Sequence, residues 1–77
     1  MEFDSEKIDE AVLALAYLNL HGEARAWKSF DWDALNRLHA KGYISNPVSK
    51  AKSFVFSEEG LKEAERLCRK LFGEEEE

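Results

Sequence analysis

The chain has 77 residues, of which 44% are hydrophobic and 12% aromatic, with a net charge of −5 and one cysteine. That length leaves room for one domain and no more. A single Cys68 rules out an internal disulfide and suits a reducing compartment, while the net acidity argues against an abundant, non-specific nucleic-acid coat protein.

Charge becomes informative when it is divided along the chain. Residues 1–23 carry six acids against Lys7, and residues 53–77 carry eight acids against four bases. Residues 24–52 carry Arg25, Lys28, Arg37, Lys41, Lys50 and Lys52 against Asp31 and Asp33, a net of +4. A basic middle between acidic ends suggests a surface that could face an anion.

The N-terminus, Met1-Glu2-Phe3-Asp4, lacks a basic region followed by an apolar core and so does not read as a secretory signal. The longest apolar run, Ala11 to Leu18, is far short of the roughly 20 residues that span a bilayer. A cytoplasmic protein with no membrane contact is expected.

The first element is a helix from Asp4 or Ser5, as cap, to about Leu20, with Glu6, Asp9 and Glu10 near its positive end. Ile8, Val12 and Leu15 follow one helical stripe, and Leu13, Tyr17 and Leu20 another. An apolar surface this wide implies central burial or a second partner. His21 and Gly22 are expected to end the helix, the histidine as a favourable charge against the dipole and the glycine as a left-handed C′ residue.

Glu23 to Lys28 is expected to form one or two helical turns. Ser29 or Asp31 then caps the next helix, whose inner stripe is Trp32, Leu35 and Leu38. Trp27, Phe30 and Trp32 interleave with Arg25 and Lys28 and could stack on bases. Aromatic spacing of this kind is more often core, the reading taken for Phe30 and Trp32, with Trp27 left open. Lys41-Gly42 stops the helix, and Tyr43-Ile44 and Phe54-Val55-Phe56 read as two strands joined by the loop Asn46 to Lys52.

Ser57 caps the last helix, with Glu58 and Glu59 where the dipole favours acids. Its apolar face is Leu61, Ala64, Leu67, Cys68 and Leu71. Gly73 ends it. Residues 1–73 are thus expected to form a single domain, and residues 74–77 an acidic disordered tail.

Helix, strand, basic loop, strand, helix over residues 35–67, with Leu38…Gly42-Tyr43-Ile44 and the cap Ser57-Glu58-Glu59-Gly60, resembles the second half of a winged helix-turn-helix. Asp9-Glu10-Ala11-Val12-Leu13, Arg25-Ala26-Trp27-Lys28 and Phe30-Asp31-Trp32-Asp33-Ala34-Leu35 resemble a family of short bacterial proteins of unknown function. The resemblance implies a mostly helical α+β, winged-helix-like domain with three main helices, one short helical segment and a two-stranded β-hairpin wing. It makes residues 31–40 the recognition helix, with Asp33, Asn36, Arg37 and Ala40 outward, and residues 46–52 the wing. On that reading Arg37 pairs with guanine, Asn36 with adenine, and Lys50 and Lys52 touch phosphates. Lys28 and Lys41 complete the candidate nucleic-acid set. The sequence departs from the pattern in a short segment before the recognition helix and in Asp31 and Asp33 at its start.

Catalysis has little support. Cys68 and His39 could form a nucleophile–base pair, but Cys68 falls late on an apolar helix face, where the dipole disfavours a thiolate. His21, His39 and Cys68 lack metal-ligand spacing, and no Gly-rich phosphate loop occurs. No cofactor and no small-molecule ligand are expected. A non-enzymatic binding module follows, leaning to weak or dimer-dependent duplex DNA contact through residues 31–52. The alternative is a protein-interaction or homodimerisation module with no nucleic acid.

Overall fold

The computed structural model describes residues 2–74, and the elements in it follow where polar caps and apolar spacing fall. They are α1 (Ser5–Leu18), β1 (Arg25–Trp27), α2 (Trp32–Ala40), β2 (Ser53–Val55) and α3 (Glu58–Phe72). Three helices and a two-stranded antiparallel sheet make a small, mostly helical α+β fold. Of the expected acidic tail, residues 75–77 lie outside the described residues.

Asp4 caps α1, its Oδ1 accepting from the Glu6 and Lys7 N–H groups at 2.9 and 3.4 Å. The helix packs chiefly on α3 and then on α2. It buries Asp9, Val12, Leu13, Ala14 and Ala16. Ala14 and Ala16 are fully enclosed, so small side chains let neighbouring elements approach closely. The two expected stripes do not survive intact: Leu13 is core, but Ile8 and Leu15 are 39% and 40% exposed.

The end of α1 differs from expectation. Asn19 is the C-cap and its side chain donates to the Leu15 carbonyl. His21 therefore lies beyond the helix, where its backbone exchanges hydrogen bonds with Arg25 across a tight reversal. Gly22, at φ 61°, serves that reversal and not a helix cap.

The expected helical turns over Glu23 to Lys28 are replaced by β1. Arg25, Ala26 and Trp27 alternate exposed, buried, exposed, which is the period of a strand. Ala26 sits opposite Phe54, with Arg25 opposite Val55 and Trp27 opposite Ser53. A small residue facing a large one across the pair fills the space beneath the sheet, and this tertiary fit overrides the helix preference of the alanines. The expected hairpin shrinks to one bridge, Ile44 with Phe56, supported by the Ser45 N–H donating to Val55 at 2.8 Å. The regular partner of β2 is β1.

Asp31 caps α2 through a 3.1 Å bond from the Ala34 N–H, and Ala34, Leu35 and Leu38 face inward. Trp32, expected in the core, is 52% exposed: it is the first residue of α2, whose buried positions are Ala34, Leu35 and Leu38. Phe30 is half-buried against the core as expected. Gly42 adopts φ 81° just after the Lys41 C-cap, the left-handed stop its position predicts.

Ser57 joins three segments. Its Oγ accepts from the Gly60 N–H at 2.9 Å and donates to the Gly42 carbonyl at 2.6 Å, while its N–H donates to Tyr43. Gly60 is buried because the first turn of α3 lies directly on the Tyr43 backbone; a Cβ there would overlap the Tyr43 carbonyl oxygen. Gly60→Ala therefore forces α3 away from residue 43 and is expected to cost about 1–3 kcal/mol. In a domain of this size each kcal/mol lowers Tm by about 4–8 °C. A thermal melt followed by circular dichroism checks this, and an unchanged Tm would show that α3 is not seated on Tyr43.

Candidate functional site

The sequence places six candidate residues, Lys28, Asn36, Arg37, Lys41, Lys50 and Lys52, on one nucleic-acid surface. The fold separates them into two groups. Arg37 turns back to α1, where Nε and one terminal nitrogen each lie 2.7 Å from the two carboxylate oxygens of Asp9. Asp9 is 1% exposed, and Lys41 Nζ stands 3.7 Å from the same carboxylate. The Asp9 hydrogen bonds raise the Arg37 pKa above its already high ordinary value against an opposing desolvation, with further attraction from Asp9, Asp33 and Asp31. Arg37 is thus held in a bidentate pair, the geometry that guanidinium and carboxylate match best.

That pairing removes the expected base reader from α2. The helix still exposes Trp32, Asp33, Asn36, His39 and Ala40, but no unpaired cation stands among them. His39 places Nδ1 3.1 Å from the Ile44 carbonyl, and Cys68 is buried in the core, so the two are occupied separately. Asp31 and Asp33 keep the N-terminal end of α2 negative.

The second group gathers around the sheet and the 46–52 loop. Lys28 donates from Nζ to the Ser49 hydroxyl at 2.8 Å and to the Ser49 carbonyl at 3.3 Å. Its backbone N–H donates to Lys52 at 3.0 Å, so β1 and the basic loop are fastened side by side. Buried Pro47 anchors the loop, and Asn46 Oδ1 accepts from the Val48 N–H at 2.9 Å in a side-chain-supported turn. Lys50 and Lys52 are exposed.

Two residues outside the expected set belong here. Arg25 donates to the Ser53 hydroxyl at 2.9 Å on the outward face of the sheet. Trp27, 53% exposed, stacks on the His21 ring at a centroid separation of 4.4 Å. The alternation Arg25-Ala26-Trp27 was the signal that could have placed both on a sheet face. Residues 21–30 and 45–56 together carry Arg25, Lys28, Lys50 and Lys52 against Glu23 alone.

Comparison with known proteins matches residues 4–74 to a domain of unknown function, DUF6429. The chain belongs to the DUF6429 family. That match runs from the Asp4 cap to the residue after Gly73, and so takes in both groups of bases. An uncharacterized protein of Sinorhizobium fredii (strain NBRC 101917 / NGR234), y4hR, is 56% identical over 72 residues, covering 94% of this chain and 97% of its own length. No solved structure matches the chain significantly. Among the described residues of this DUF6429 chain, no helix is long and apolar enough to cross a membrane.

Asp9 is buried and Arg37 partly exposed; without Arg37 the carboxylate keeps only Lys41 at 3.7 Å, whereas replacing both members of such a pair with apolar residues is often neutral. Arg37→Leu is therefore expected to lower Tm by several degrees, and adding Asp9→Leu should recover most of the loss. Calorimetry of the single and double variants measures it. A double variant as unstable as Arg37→Leu would mean that α1 and α2 do not depend on this pair.

Proposed function

We propose that the protein is a non-enzymatic binding module of winged-helix type that contacts duplex DNA through its sheet-and-loop side. The observation that carries this reading is the fastening of the Lys50–Lys52 loop to β1 by Lys28, which sets four bases against one acid on one side of the fold. The element order supports it: a strand after the first helix, a helix, a basic loop, a strand and a last helix. The contact differs from the one expected for α2. β1 occupies the place where a preceding helix would complete a helix-turn-helix, and Arg37 is held by Asp9.

Bases on an exposed loop neutralise phosphates without reading sequence, so affinity is low and set by salt. With about three or four phosphates contacted, the slope of log K against log salt is about −3. Lys50→Ala with Lys52→Ala removes about two phosphate contacts and should flatten that slope by about 2. Asn36→Ala should leave it unchanged. Fluorescence anisotropy of a labelled mixed-sequence duplex, titrated from low salt, reads all three. Absence of binding by the unaltered protein, or loss through Asn36→Ala alone, overturns the proposal.

A further inference from the structure

We infer that the outer face of α1 is the two-fold contact of a homodimer. This inference uses none of the residues assigned to DNA. Ile8, Leu15 and Leu18 are 39%, 40% and 59% exposed, with Ala11 half-buried between them. Their spacing of three, four and three residues is the seam along which two helices pack. The opposite face of the helix, Asp9, Leu13 and Ala16, is already buried, so the seam is a second apolar surface and not a gap in the core.

A second copy of this chain fits that seam better antiparallel than parallel. Antiparallel pairing centred near residue 13 sets Ile8 against Leu18 and small Ala11 against large Leu15, so knobs meet holes at every step. Parallel pairing would set Ala11 against Ala11 and leave a void. The last turn of α3 extends the surface, since Leu18 and Phe72 line one groove and Leu71 and Phe72 are about half exposed.

Charge favours the same occupant. Of the positions flanking the seam, Val12 and Ala14 are buried in the monomer, and the exposed ones are Ser5 and Asn19 on one side and Lys7 on the other. They hold one cation and no acid, in a chain of net charge −5. In the antiparallel pair the two Lys7 residues stand about 18 Å apart along the seam by helical rise, beyond the screening length of roughly 8–10 Å. Parallel pairing would set them side by side.

Sedimentation equilibrium of the full chain across the micromolar range tests this. The unaltered protein should show a monomer–dimer equilibrium. Leu15→Glu and Leu18→Glu should each raise the dissociation constant by about 10–100-fold. Both side chains are substantially exposed in the monomer, so the far-ultraviolet spectrum and Tm should persist; Leu18, the more exposed, is the safer variant. Lys62→Glu, exposed on α3, should leave the equilibrium unchanged. A protein that stays monomeric throughout, its seam open to water or to a different partner, overturns the inference. So does a dimer indifferent to Leu18→Glu.

Discussion

Asp9 is a buried carboxylate at the N-terminal end of the helix face that continues through Leu13 and Ala16, and its pairing with Arg37 determines how α1 and α2 can meet. A charge this deep is tolerable only when its oxygens are hydrogen-bonded. Two 2.7 Å bonds from one planar guanidinium require α2 to present residue 37 at a set distance and rotation. Once that is satisfied, Leu35 and Leu38 point into the core, Lys41 reaches the same carboxylate, and Gly42 turns the chain toward Tyr43. Such a pair contributes little net stability compared with an apolar substitute. Its effect is on which arrangement of the two helices is allowed.

The second fixed point follows from the first. Residues 42 and 43 leave α2 in the position where Ser57 and Gly60 receive them, so α3 is seated on the same segment that α2 orients. α1 then lies against both helices and carries the closest packing, through alanines as much as leucines. The sheet is the least self-sufficient part. Two three-residue strands would not persist alone, and theirs is held because Ala26 and Phe54 are both core residues.

Much of this was legible in the sequence wherever a residue type has one dominant local use. Asp4, Asp31 and Ser57 cap the helices, Gly42 ends α2, and Leu35, Leu38, Ala64 and Leu67 mark inward faces, as their chemistry and spacing imply. Legibility failed where a distant partner decided the outcome. Ala26 is a good helix former, yet pairing with Phe54 draws it into a strand; Arg37 reads as a free cation until Asp9, 28 residues away, is brought to it. Trp32 reads as core by size and apolar spacing, yet at the first position of α2 it is more than half exposed. Charge counted along the chain reads as a basic middle that could face an anion, whereas pairing divides those charges in space.

That division gives a physical reason for separating shape from chemistry in this fold. A recognition helix must leave its cations free, and here the only arginine on α2 is needed to neutralise a carboxylate in the core. The chain therefore cannot use Arg37 for an external anion without taking both short hydrogen bonds from buried Asp9, which would keep only Lys41 at 3.7 Å. The bases at 25, 28, 50 and 52 carry no comparable obligation: Arg25 and Lys28 bond to hydroxyls and a carbonyl at the surface, which water can replace at small cost, and Lys50 and Lys52 are exposed. An external phosphate competes with a serine hydroxyl at Lys28 or Arg25, but with a bidentate carboxylate at Arg37. The first exchange is favourable for a charged donor, and the second is not. Of the candidate bases, those on the sheet-and-loop side are thus the ones an external anion can engage without breaking a bidentate pair.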